Sequence, residues 1–141
     1  MKVKRLYIVS MAASMLMLNG CFKTEAPQCS SEEVTGMVQQ IYGKHMKDMG
    51  EDNILAQVLF ATVPKKISKI DSARAVSYDE NIHLRSCKAQ AYFESNTTAP
   101  IEYTVQLDEK DSDQIYVELK MDFVEDLAQQ GMMNQIMKNM K

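Results

Sequence analysis

LRSCKAQAYFESNTTAPIEYTVQLDEKDSDQIYVELKM, residues 84–121, is the stretch whose pattern decides the fold. Within it Cys87, Ala89, Ala91 and Phe93 alternate with Lys88, Gln90 and Tyr92, and Ile101, Tyr103, Val105 and Leu107 alternate with Glu102, Thr104 and Gln106. Ile115, Val117, Leu119 and Met121 then alternate with Tyr116, Glu118 and Lys120. Successive side chains of a strand point to opposite faces, so a period of two predicts three strands with one apolar face each. The stretches between them, SNTTAP (95–100) and EKDSDQ (109–114), are short, so neighbours pair antiparallel. Residues 69–78 have no clear period and, with the short loop DENIH (79–83) after them, leave room for a fourth strand.

Ahead of the strands the period is helical. Val34, Met37, Val38, Ile41, Tyr42, His45 and Met49 recur at three- and four-residue steps. Ser30 with Glu33 forms a capping-box pattern, Cys29 stands before it in position for a hydrophobic staple to Val34, and Gly50 predicts the stop. A shorter helix from Asn53 to about Thr62 presents Leu55, Val58, Leu59 and Thr62 and ends before Pro64. After the strands, Asp122 with Glu125 repeats the capping pattern and opens FVEDLAQQGMMNQIMKNMK (123–141), a helix with a wide methionine-rich face. The expected class is α+β: an N-terminal helix and a short helix on a three- or four-stranded antiparallel meander, closed by a methionine-rich helix. A helix on such a meander resembles the cystatin-like or NTF2-like arrangement, a likeness of architecture that carries no function.

At the N-terminus Lys2, Lys4 and Arg5 precede an uncharged, mostly apolar run from Leu6 to Leu18. At about 1.5 Å per residue that run covers roughly 20 Å of helix, short of the roughly 30 Å a spanning helix must cross, so a removed export signal fits it better. Leu18-Asn19-Gly20-Cys21 resembles the lipobox of bacterial lipoproteins. The resemblance implies cleavage between Gly20 and Cys21, diacylglycerol on the Cys21 sulfur and, in many bacteria, a further acyl chain such as palmitate on its amine. Phe22, where Asp would be the inner-membrane signal of enteric-type bacteria, favours the outer membrane. The expected organisation is a signal peptide at 1–20, a lipidated tether at 21–28 and one domain at 29–141, facing the periplasm of the cell envelope.

Loss of residues 1–20 removes three bases and no acid, moving the formal charge from −3 to −6. Nucleic acid is a poor partner for such a surface. With Cys21 committed to lipid, Cys29 and Cys87 remain, and an even pair in an exported chain reads as a disulfide. Neither a C-x-x-C motif nor a third cysteine ligand is present to support zinc or redox chemistry. The stretches Ser77-Tyr78-Asp79, Ser86-Cys87-Lys88-Ala89, Ile101-Glu102-Tyr103-Thr104-Val105 and Tyr116-Val117-Glu118, with a cysteine before the first helix, are similar to an uncharacterised domain family of small bacterial lipoproteins and exported proteins. That resemblance spans most of 29–120 and implies no catalytic residue.

Candidate chemistry is sparse. His45 sits at the edge of the helical stripe and reads as a packing residue; His83 sits in a turn. No nucleophile elbow, zincin or phosphate-loop motif occurs, so no catalytic residue is expected. Asp108, Glu109, Asp111 and Asp113 crowd one turn but lack the Gly and terminal Glu of an EF-hand loop. The sequon Asn96-Thr97-Thr98 carries little meaning in a bacterial lipoprotein. Methionine is the oddity. His45, Met46 and Met49 on the first helix and Met132, Met133, Met137 and Met140 on the last offer soft ligands suited to Cu(I), although flexible, polarisable Met also serves as core filler or as an adaptable binding face. The leading expectation is a non-catalytic, membrane-anchored protein that recognises a protein partner near the membrane, with no cofactor beyond the covalent lipid. The alternative is a periplasmic module for Cu(I), held by His45, Met46, Met49, Met133, Met137 and Met140, or for a small apolar ligand on the concave side of the sheet.

Overall fold

Ser31 starts the first helix. Its hydroxyl accepts the Val34 amide at 3.4 Å, and its own amide donates to the Gln28 carbonyl, closing a turn over residues 28–31. In the computed structural model, which describes residues 25–52 and 54–141, α1 therefore spans Glu32–Asp52. The cap lies one residue later than the expected Ser30, so the residue three on is Val34, and the Ser30–Glu33 box does not form. Glu32 and Glu33 still place negative charge on the first turn, where the helix dipole favours it. Gly50 does not stop the helix: its carbonyl receives the side-chain amide of Gln57, and α1 runs on to Asp52. The signal segment, Gly20 and Cys21 lie outside the described residues.

The short helix α2, Ile54–Leu59, is briefer than expected and its apolar residues point the other way. Leu55 is 64% exposed and Val58 68%; Phe60 and Val63, beyond the helix, make the inward contacts. Four strands follow: β1 Ile67–Asp79, β2 Leu84–Phe93, β3 Thr98–Leu107 and β4 Ile115–Leu119, in the order β1-β2-β3-β4, each antiparallel to its neighbour. The register of β2 with β3 is unbroken from Leu84 opposite Gln106 to Tyr92 opposite Thr98. The last helix, α3, spans Phe123–Asn139. It begins where Asp122 predicts, but Asp122 makes no side-chain cap bond and has helical dihedrals itself; the Val124 amide bonds the Met121 carbonyl instead.

The fold class is thus α+β, with α1 and the first half of α3 on one face of the sheet. Val34, Val38, Tyr42 and Met46 of α1 meet Cys87, Ala89, Ala91 and Phe93 of β2 and Ile101, Tyr103, Val105 and Leu107 of β3, all buried. Each large side chain so buried contributes about 1.5–3 kcal/mol. Tyr42 packs its ring 5.4 Å from Phe93 and 5.8 Å from Phe123, centre to centre, and its hydroxyl donates to the Pro64 carbonyl at 2.6 Å. On the polar outer face Glu102 accepts from Lys88 at 2.7 Å and Lys120 at 2.8 Å, tying β2 and β3 to the residue that follows β4.

Those lysines, Lys120 first, hold the Glu102 carboxyl well below its ordinary 4.5, at about 2. A depressed folded value means that the pairs contribute above pH 4.5 and are lost as pH falls through about 2. Carboxyl-carbon NMR should place the Glu102 midpoint near 2, and Lys120→Ala should move it toward the ordinary range; a midpoint that does not move would remove Lys120 as the cause. Separately, the Tyr103 hydroxyl donates to the buried Cys29 carbonyl at 2.7 Å. Tyr103→Phe leaves that acceptor unmet and should lower unfolding free energy in urea by about 1–3 kcal/mol.

Candidate functional site

The chain enters the body at the Leu84 end of the sheet. Arg85 donates from Nε to the Pro27 carbonyl and from its terminal nitrogen to the Ala26 carbonyl, both at 3.1 Å. Its guanidinium lies 4.6 Å from the Tyr78 ring centre and 3.8 Å from the Glu25 carboxylate. Two residues on, Cys29 is bonded to Cys87 with their Cα atoms 5.8 Å apart. Within the expected tether at 21–28, Ala26 is buried, and its carbonyl and that of Pro27 are held by Arg85. Arg85 was not singled out from sequence, yet a signal exists: it occupies the inward parity of β2 with Cys87, Ala89 and Ala91, where a charge needs partners.

At the opposite end, about 25 Å away along β2 at a strand's usual rise, lie the helical surfaces. Thr62, Pro64, Ser95 and Thr97 line a cleft with Leu127, Gln130, Gly131, Asn134, Gln135 and Lys138 of α3. The approach is close: a Cβ on Gly131 would meet the Thr62 Oγ at 2.4 Å and its Cβ at 2.6 Å. Only glycine lets the helix pass there.

Gly131 is also where α3 changes sides. Phe123, Val124, Leu127 and Ala128 are buried against the core. At about 100° per residue, Gly131, Asn134 and Lys138 continue that inner line, but it has turned polar. Met132, Met133, Ile136, Met137 and Met140 fall on the outer side, with Met133 58% and Met137 55% exposed. The apolar stripe needed by the core ends at Ala128, and a second one opens outward four residues later. Exposed Ile54, Val58 and Leu59 of α2 lie at the same end, because Thr62 follows α2 directly.

The candidate ligands are divided by this arrangement. Met46 is buried within the core and Met49 is packed against it; His45 is half-buried. Met133, Met137 and Met140 stand in solvent on α3. His83 is exposed with a positive φ of 49° and its Nδ1 is 3.3 Å from the Tyr78 hydroxyl. The acidic turn after β3 is built into its own backbone: Asp108 accepts from the amides of Lys110 and Asp111 and from the Tyr116 hydroxyl, the last being the main cause that holds its carboxyl below the ordinary value. Among the described residues no cluster of three or more His, Cys, Asp or Glu side chains is placed to hold a metal ion, and no helix is long and apolar enough to cross a membrane. The inner face of the sheet, which an apolar ligand would need, is covered by α1 and α3.

No protein-family model matches the chain, and no curated protein and no solved structure matches it either. Gly131→Ala forces the contact with Thr62 and should cost about 1–3 kcal/mol in chemical denaturation. Thr62→Gly in the same chain should return most of that loss, a coupling that a double-mutant cycle reads directly.

Proposed function

We propose that this chain is a non-catalytic lipoprotein of the bacterial cell envelope that works by recognising another protein close to the membrane, as an accessory subunit of an envelope assembly or as an inhibitor or immunity factor. The observation that carries the recognition is the division of labour along the sheet. The chain arrives at the end held by Arg85, and the exposed methionine stripe of α3 stands at the other. An apolar stripe that the domain's own core does not use is the usual mark of a surface meant for a partner.

Support for the anchor comes from the basic start, the short apolar run and Leu18-Asn19-Gly20-Cys21. At about 0.8 kcal/mol per buried CH₂, two or three acyl chains hold a protein on a bilayer almost permanently. Five residues from Cys21 to Ala26 reach at most about 18 Å, so the body stays within a few nanometres of its membrane, the outer one on the strength of Phe22. The Arg85 end then faces the lipid and the methionine stripe faces the aqueous space, where a partner can approach.

Cells fed labelled palmitate should yield labelled protein, and Cys21→Ser should abolish the label and release the protein from the membrane fraction. A Cys21→Ser chain that is still labelled and sediments with membranes would remove the anchor from the account.

A further inference from the structure

We infer that the outer stripe of α3 is a sulfoxidation site: a peroxide oxidises Met132, Met133, Met137 and Met140 ahead of the other described methionines, and the fold carries the product. In the reaction a lone pair on the thioether sulfur attacks one peroxide oxygen. The S–O bond forms as the O–O bond breaks, water leaves, and sulfur loses the two electrons that the peroxide gains. A flexible apolar side chain thereby becomes a polar, chiral one.

Susceptibility follows exposure, and exposure divides the methionines sharply. The four on α3 all stand in solvent, Met140 at 80%, whereas Met46 is 2% exposed and Met49 and Met121 pack against the core. Met37, on α1, is half-buried. Among the described residues no thiol competes for the oxidant, because Cys29 and Cys87 are bonded to each other. Helix α3 buries nothing after Ala128, so no core contact is lost when these four side chains change.

Two surface grooves give the oxidant access and offer the product partners. Met133 lines one with Asp126, Gln129, Gln130 and Asn134, and Met137 lines the other with Asn134, Lys138 and Lys141. A sulfoxide oxygen accepts hydrogen bonds, and the amides and ammonium groups of those grooves donate them. The same oxygen on Met46 would be buried in the apolar core, where the Tyr42 hydroxyl one turn earlier is already committed to the Pro64 carbonyl. The modification itself needs no partner protein. That it would also weaken docking rests on the recognition reading above, because the stripe a partner would meet turns polar.

The test exposes full-length protein, in nanodiscs of saturated phosphatidylcholine, to hydrogen peroxide. Samples are quenched with free methionine at intervals and mapped residue by residue by mass spectrometry. Met132, Met133, Met137 and Met140 should each gain one oxygen at least about tenfold faster than Met46, at unchanged melting temperature. Replacing all four by Leu, a swap of similar volume on an exposed face, should remove that uptake and leave Met46 oxidising at its wild-type pace. The second result separates shielding by packing from scavenging by the stripe. Comparable rates at Met46 and on α3, a melting temperature that falls as the four sulfoxides accumulate, or faster oxidation of Met46 in the Leu variant would each overturn the assignment. Failure of any partner to engage this face would overturn the recognition reading and leave these rates as they are.

Discussion

Cys29 is the point on which the architecture turns. Its sulfur is bonded to Cys87 on β2, its carbonyl receives the Tyr103 hydroxyl from β3, and the two carbonyls that Arg85 holds lie just before it. Helix α1 is therefore launched from a fixed place on the sheet, and its length carries Tyr42 to the far end, where Phe93, Phe123 and the Pro64 carbonyl receive it. In the chain-entropy account, closing a loop over a sequence separation of 58 stabilises the fold by about 4 kcal/mol. The bond does more than that sum, because it sets which residues of α1 face which strand. Burial pushes the Tyr103 phenol up to about 12, so its donor proton stays in place throughout the physiological range.

How much of this was legible follows from what periodicity can report. Strands β2, β3 and β4 were readable because one face is buried in an unbroken register, and α1 because Val34, Val38 and Tyr42 repeat on one side. The start of α1 was misplaced by one residue because the turn at 28–31 is imposed by long-range attachments of Ala26, Pro27 and Cys29, which have no local signature. Strand β1 was ambiguous for a definite reason. Its register against β2 shifts between Ile67 and Lys69, between Asp71 and Arg74 and between Ala75 and Ser77, with Ser72 at a φ of 53°. Each shift resets the alternation, so the inward residues Ile70, Ala73 and Tyr78 are spaced irregularly.

The helices α2 and α3 show the opposite limit. A periodic apolar face says that something covers it, but not what. In α2 the expected stripe faces solvent, and in α3 the stripe passes from the inner to the outer side at Gly131, so inward and outward runs merge into one wide face when the sequence is read alone. The Cys29–Cys87 disulfide was readable from the even pair left once Cys21 is assigned to lipid in an expected export context. The Arg85 clamp was not sought, although its inward parity marked it. Of the six soft ligands proposed for copper, the structure commits Met46 to the core, which periodicity could have anticipated from Tyr42 one turn earlier.

The broken register of β1 has a consequence for encounters between copies of the chain. A strand at the rim of a sheet offers its unpaired amides and carbonyls to any neighbouring chain, and thirteen residues would be a generous template for such growth. Here the interruptions at 67–69, 71–74 and 75–77 cut that rim into pieces of a few residues, each twisted away from the next, and the other rim, β4, is only five residues long. Two copies that collide can therefore part without zipping their sheets into a fibre.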